Sequence, residues 1–124
     1  MPQQPGRRPL RFLRSIPRNG AANVPPRRRT IQLFFDKNVV SNDVWTNNQR
    51  QIRLFRGNTR VAIQVVRIPT NFARRREIFV RPVGMLRPSS NYRLVIGPNL
   101  RSRAGERLGR TVTIRFRTAD IMEE

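Results

Sequence analysis

Two stretches near the C-terminal end of the chain place an apolar residue at every second position, and this constrains the fold most. Residues 92–96 read YRLVI, and residues 112–117 read VTIRFR. Because successive side chains of a β-strand point to opposite faces, a period of two predicts strands with one buried face. Leu86, Pro88 and Tyr92 have the spacing of a tyrosine corner, in which a buried Tyr hydroxyl bonds to nearby backbone of a β-sandwich.

Short apolar stretches bounded by turn residues recur through the rest of the chain. They predict further strands at residues 10–16, 30–35, 52–55, 60–68 and 77–81. Residues 39–48 are less regular, and we expect Val44 and Trp45 to lie over an open end of the sandwich. No window has a 3.6-residue period, so little helix is expected. About seven short antiparallel strands predict an all-β fold, a single immunoglobulin-like β-sandwich with Phe35 and Phe116 in its core.

The length of 124 residues is that of one domain. We assign residues 1–10 to a flexible basic tail, residues 11–118 to the sandwich and residues 119–124 to an acidic C-terminal tail. No apolar run is long enough to span a bilayer. The first residues have basic side chains but lack the apolar segment of a signal peptide, so a cytoplasmic location is the default expectation. The sequence leaves the oligomeric state open.

The net charge of +19 is the strongest feature of the composition. Of 26 basic residues only Lys37 is lysine, against 7 acidic residues. Arginine is always charged and binds phosphate or carboxylate through two parallel hydrogen bonds. A high-GC coding bias or a thermophile surface would also enrich arginine. Self-repulsion on this scale destabilises a compact chain, which favours an anionic macromolecule as partner.

The residue types that support most catalysis are missing. The chain has no His and no Cys, which excludes His-based acid–base catalysis and the usual zinc sites. No pair among the carboxylates has a spacing that suggests a glycosidase cleft. Asp36 and Asp43 together offer too few oxygens for calcium. We therefore expect no enzymatic activity, no metal and no cofactor.

Three groups of arginines are candidates for binding an anionic partner. The first two are tripeptides that each precede a predicted strand: Arg27, Arg28 and Arg29, and Arg74, Arg75 and Arg76. The third group alternates with inward apolar residues on three strands: Arg53, Arg93, Arg115 and Arg117. In an immunoglobulin topology the third, sixth and seventh strands share a sheet. We therefore expect the third group to lie on one exposed face.

The chain also resembles the bacterial immunoglobulin-like domain of the SbsA S-layer type over residues 12–118. The resemblance rests on a PxxGAxxVP opening, a strand ending in Phe, an LxPxxxY corner, a polar Gly loop and a closing FxT. The matching residues are Pro17, Gly20, Ala21, Val24, Pro25, Phe35, Val39, Leu86, Pro88, Tyr92, Leu100, Gly105, Leu108, Phe116 and Thr118. It implies a spacer, adhesion or accessory domain of cell-surface or secreted proteins, rarely a catalytic one.

Two classes of function stay open. The first is a structural or adhesion module that docks onto an acidic surface polymer or an acidic protein. The second is a nucleic-acid-binding protein without sequence preference, which would contact phosphates through arginine. Phe34 and Phe79 are then the available residues for base stacking. Attachment to anionic lipid through the N-terminal tail ranks below both.

Overall fold

The computed structural model describes residues 8–28 and 30–120, which form two β-sheets packed face to face. Within these residues the strands are β1 (Phe12–Ile16), β2 (Ala21–Val24), β3 (Ile31–Phe35), β4 (Ile52–Arg56), β5 (Thr59–Val61), β6 (Ile63–Val66), β7 (Glu77–Pro82), β8 (Asn91–Ile96) and β9 (Val112–Thr118). One helix, α1 (Asn42–Arg50), precedes β4, and a 3-10 turn at Phe72–Arg74 precedes β7. The predicted all-β sandwich is confirmed.

The strand order is β1-β3-β7-β6 in the four-stranded sheet and β2-β9-β8-β4-β5 in the five-stranded sheet. All neighbouring strands pair antiparallel except β2, which runs parallel to β9. The predicted third, sixth and seventh strands correspond to β4, β8 and β9, and they do share one sheet. Apolar side chains on the inner faces of both sheets form one hydrophobic core.

The chain crosses from one sheet to the other at both lateral edges of the sandwich. At the first edge it passes from β1 to β2 through residues 17–20, where Gly20 has φ +85°. At the second edge it passes from β5 to β6 at Ala62. The prediction of one continuous strand over residues 60–68 was therefore wrong. Alternation in sequence continues through such a crossing, because both halves still point their apolar residues into the same core.

The strand β2 and the helix α1 were not predicted. In α1 the buried residues are Val44, Trp45 and Asn48, so a polar residue occupies a core position and interrupts the apolar pattern. Asn and Thr also have low helix propensity. Val44 and Trp45, which were predicted to lie over an open end of the sandwich, are buried on this helix and not in an irregular segment.

The predicted tyrosine corner is confirmed. The Tyr92 hydroxyl accepts a hydrogen bond from the Arg87 N–H at 2.8 Å. The Tyr92 ring stacks on Phe116, with centroids 5.4 Å apart and both side chains buried. Leu86 is buried beside this corner and Pro88 lies on the surface. Phe35 is 1% exposed at the other end of the core.

Parts of both predicted tails and one candidate arginine lie outside the residues that the structure describes. Residues 1–7 of the predicted N-terminal tail, Arg29 and residues 121–124 of the predicted C-terminal tail lie outside the described residues. Leu10 is buried in the core, and its N–H donates to the Arg107 carbonyl at 3.1 Å. In the part of the chain that is described, no helix has the length and apolar character needed to cross a membrane.

Candidate anion-binding face

The outer surface of the five-stranded sheet carries the third predicted group of arginines. Inner-face residues such as Leu94 and Ile114 are buried, so the residues that alternate with them point away from the core. These outward positions include Arg53 on β4, Arg93 on β8, and Arg115 and Arg117 on β9. Arg60 on β5 also lies on this surface, as its pairing with Phe55 shows. We call the surface formed by Arg53, Arg60, Arg93, Arg115 and Arg117 the arginine face.

A row of directly opposed residues crosses four strands of this face. Arg60 pairs with Phe55, Phe55 pairs with Arg93, and Arg93 pairs with Arg115. The Arg93 guanidinium lies over the Phe55 ring, 4.4 Å from its centroid, and makes a cation–π contact with it. With strands about 4.8 Å apart, the row from Arg60 to Arg115 is about 14 Å long.

Arg60 was not among the residues predicted to lie on this face. Residues 60–68 were predicted to form one strand in a hairpin with residues 52–55, a pairing that the β4–β5 ladder confirms for its first part. The signal was nonetheless present, since Arg60 precedes the inward-facing Val61, which packs against the core. What could not be foreseen is that β5 ends at Val61, so that Arg60 and Gln64 belong to different sheets.

Little negative charge compensates the arginine face. Among residues 8–28 and 30–120, the carboxylates are Asp36, Asp43, Glu77, Glu106 and Asp120. Of these only Asp120 pairs with this face, through a 3.7 Å contact with Arg117. Like charges directly opposite on a sheet, such as Arg93 and Arg115, destabilise it. The face therefore maintains a field of one sign at some cost in stability.

A shallow groove of about 450 Å³ runs along one side of the arginine face. Arg93, Arg115 and Arg117 line it together with the small residues Gly20, Ala21 and Ala22 beside β9 and Gly57 in the turn between β4 and β5. One Arg93 nitrogen reaches toward the Gly57 carbonyl at 3.4 Å. The small residues leave room beside the guanidinium groups, so an anionic group could reach several of them together.

The tripeptide before β3 lies away from the arginine face. Arg27 and Arg28 border a second groove beside the four-stranded sheet, and Arg29 lies outside the described residues. The Arg28 Nε donates to the Thr30 carbonyl at 3.2 Å. The structure thus separates this pair from the four strand arginines.

Two arginines of the tripeptide before β7, Arg74 and Arg75, already interact with other residues of the domain. Arg74 forms a 2.9 Å ion pair with Glu77, which is buried and also accepts a hydrogen bond from Gln32. Arg75 stacks on Phe72 at 3.7 Å and donates to the Phe72 carbonyl. Arg76 is exposed, while its carbonyl accepts a hydrogen bond from the Phe35 N–H.

The two aromatic residues considered for base stacking lie on the other sheet. Phe34 on β3 is half-buried beneath the Arg14 guanidinium, 3.8 Å from the ring centroid. Phe79 on β7 is also half-buried, and it pairs across the sheet with Gln32. Neither ring is next to the arginine face.

The carboxylates of the described residues are dispersed over the domain. The Asp36 carboxylate accepts from the Arg11 N–H at 2.9 Å, and Glu106 bonds to Ser102 and lies 3.6 Å from the Lys37 ammonium. In residues 8–28 and 30–120, no group of three or more His, Cys, Asp or Glu side chains could hold a metal ion.

Solved structures with the same fold include bacterial surface-layer proteins. The chain superposes on the S-layer protein rSbsC(31-844) with a TM-score of 0.61 and 13% identity, covering 90% of this chain and 14% of that one. For the N-terminal part of SbsC the values are 0.60 and 13%, with 90% and 24% covered. An L,D-transpeptidase from Mycobacterium smegmatis gives 0.59 and 18%, with 90% and 41% covered.

These identities establish the fold alone, and the chain spans less than half of each of these solved chains. No curated protein sequence matches the chain. The profile of the bacterial Ig-like domain family matches residues 6–118, nearly the whole sequence. The match agrees with the LxPxxxY corner, the buried Phe35 and Phe116 and the two-sheet topology. The chain belongs to the bacterial Ig-like domain family.

Proposed function

We propose that this domain is a non-catalytic docking module that binds an acidic surface polymer through the arginine face. The observation that carries the proposal is the row of Arg60, Arg93 and Arg115 across adjacent strands, none of which has an ion pair within residues 8–28 and 30–120. A protein that keeps like charges opposed loses stability, which binding an anion would restore.

A polymer suits this surface better than a small ligand. The groove of about 450 Å³ is shallow and open, and its arginines, Arg93, Arg115 and Arg117, are spread over β8 and β9 rather than around a point. An extended chain with repeated carboxylates or phosphates could contact several guanidinium groups in succession. The S-layer neighbours are consistent with a module of the cell surface, in keeping with the spacer or adhesion role that the resemblance implies.

The test is binding of polygalacturonate, a carboxylate polymer, at about 50 mM salt, where electrostatic contacts are only partly screened. Arg93→Glu/Arg115→Glu should abolish binding and leave the melting temperature as high as before or higher. Arg76→Glu/Arg103→Glu makes the same change of net charge at exposed positions, one just before β7 of the other sheet and one in the loop between β8 and β9, and serves as the matched control. Equal loss in both double variants would show that only the net charge matters and would contradict the proposal.

Nucleic acid is the alternative outcome of the same experiment. If about eight phosphates were neutralised on duplex DNA, log K against log salt would have a slope near −7. We expect weaker binding to DNA than to the polymer, because Phe34 and Phe79 lie on the opposite sheet and the Phe55 ring on the arginine face is covered by the Arg93 guanidinium. Tighter binding to duplex or single-stranded DNA than to the carboxylate polymer would reverse the assignment.

A further inference from the structure

We infer that the domain has a second binding site, a groove beside the four-stranded sheet that accepts an acidic peptide segment with apolar side chains. The groove has a volume of about 710 Å³, within the range of about 300–1,000 Å³ usual for ligand sites. It shares no residue with the arginine face, since its lining comes from β6, β7 and the segments that precede β3 and follow β7.

Two backbone segments form the walls of this groove. The 26–28 segment is one wall and the 83–85 segment is the other, and the Leu86 N–H donates to the Pro26 carbonyl at 3.0 Å where they meet. The second wall is also held to the strand crossing, because the Val83 N–H donates to the Ala62 carbonyl at 3.0 Å. These two hydrogen bonds hold the backbone of the 83–85 segment to the rest of the domain at both of its ends.

The described residues of the groove carry positive charge only. Arg27, Arg28 and Arg81 line it, and none of its described lining residues is an Asp or Glu. Arg81 pairs across the sheet with Gln64, a neutral residue. The hydrogen bond from Arg28 to the Thr30 carbonyl holds that guanidinium at the rim. A partner with two or three carboxylates would match this set.

The groove also contains exposed apolar surface. Val83 and Met85 are 65% and 60% exposed, and both line the same cavity as the arginines. A nucleic acid or a uronate polymer would satisfy the arginines without covering these two side chains. An acidic peptide that also carries aliphatic residues would cover them, and each buried aliphatic group adds to affinity in proportion to its area. The positive charge of the groove and its exposed apolar side chains together favour an acidic peptide over a nucleic acid or a uronate polymer.

The experiment compares two labelled peptides of equal charge, an alternating (Glu-Leu)₄ and an alternating (Glu-Ser)₄, by fluorescence anisotropy with the full chain. At about 0.15 M salt, where surface charge is screened beyond about 8 Å, we expect the leucine peptide to bind about tenfold more tightly. Val83→Ser/Met85→Ser should remove this preference. Arg81→Glu should weaken the binding of both peptides.

The matched control is Arg93→Glu/Arg115→Glu on the arginine face, which should retain the preference for the leucine peptide even where overall affinity falls. This control also separates the two sites, because polymer binding should fail in that variant while peptide selectivity survives. Equal affinity of the wild-type chain for both peptides would overturn the inference. A preference that survives Val83→Ser/Met85→Ser, or binding unaffected by Arg81→Glu, would also overturn it.

Discussion

Tyr92 combines two roles at the scale of a single residue. Its ring stacks on Phe116 in the core, and its hydroxyl accepts the Arg87 N–H at 2.8 Å. The hydroxyl thereby ties the turn that precedes β8 to the sandwich. Thr118 adds to the same attachment, because its hydroxyl donates to the Arg87 carbonyl and accepts from the Ser90 N–H.

We expect Tyr92→Phe to lower the free energy of unfolding by about 1–2 kcal/mol, since the ring is retained but one backbone N–H loses its acceptor. The measurement is urea unfolding followed by circular dichroism. Ser89→Ala removes an exposed hydroxyl from the same turn and should cost less than about 0.5 kcal/mol. Equal effects of the two changes would contradict this role for the tyrosine corner.

At the scale of elements, Asn48 fastens α1 to the loop that joins β8 to β9. Its side-chain nitrogen donates to the Val39 carbonyl at 2.8 Å and to the Arg101 carbonyl at 2.9 Å. Its side-chain oxygen accepts from the Arg101 N–H at 2.9 Å and from the Asn47 side chain. The buried amide is therefore fully satisfied, and it links segments about fifty positions apart.

We expect Asn48→Ala to destabilise the domain by about 3 kcal/mol or more, because several buried backbone groups lose their partners at once. Chemical denaturation measures this cost directly. Asn42→Ala, at the exposed start of the same helix, changes the same residue type and should have little effect. A cost for Asn48→Ala below about 1 kcal/mol would show that solvent replaces these bonds.

The contrast between strands and helix explains how far prediction from sequence extended. Strands such as β8 and β9 were predictable, because apolar and polar residues alternate along them. This alternation shows, from neighbouring residues alone, which side chains face the core and which face solvent. The helix α1 was not, because its stability comes from Trp45 and from the partners of Asn48, which are distant in sequence. The arginine face was foreseen for Arg93 and Arg115 on the same grounds as their strands, whereas Arg60 depended on where the chain changes sheets.

At the scale of the whole molecule, charge is distributed unevenly. The chain has a net charge of +19. Ion pairs occur at Lys37–Glu106, Arg74–Glu77 and Arg117–Asp120, all outside the Arg60–Arg93–Arg115 row. Repulsion among the remaining arginines opposes compaction, so the stability of the free domain should depend on ionic strength.

Raising the ionic strength from about 0.01 M to about 0.15 M shortens the screening length from about 30 Å to about 8 Å, and we expect the melting temperature to rise. Thermal unfolding at the two salt concentrations tests this. Arg93→Gln/Arg115→Gln should be more stable than the wild type at low salt and should show a smaller salt response. A melting temperature that falls with salt would mean that attractive pairs outweigh repulsion.

The sequence by itself determined the fold class, the two strands of the tyrosine corner and the outward direction of the strand arginines, because alternation acts between immediate neighbours. The tertiary structure alone decided that residues 42–50 form a helix, that the chain changes sheets at Ala62, and that Arg81, Val83 and Met85 border a groove with Arg27 and Arg28. These features depend on contacts between residues far apart in the chain, and no local pattern records which distant segment a residue will meet.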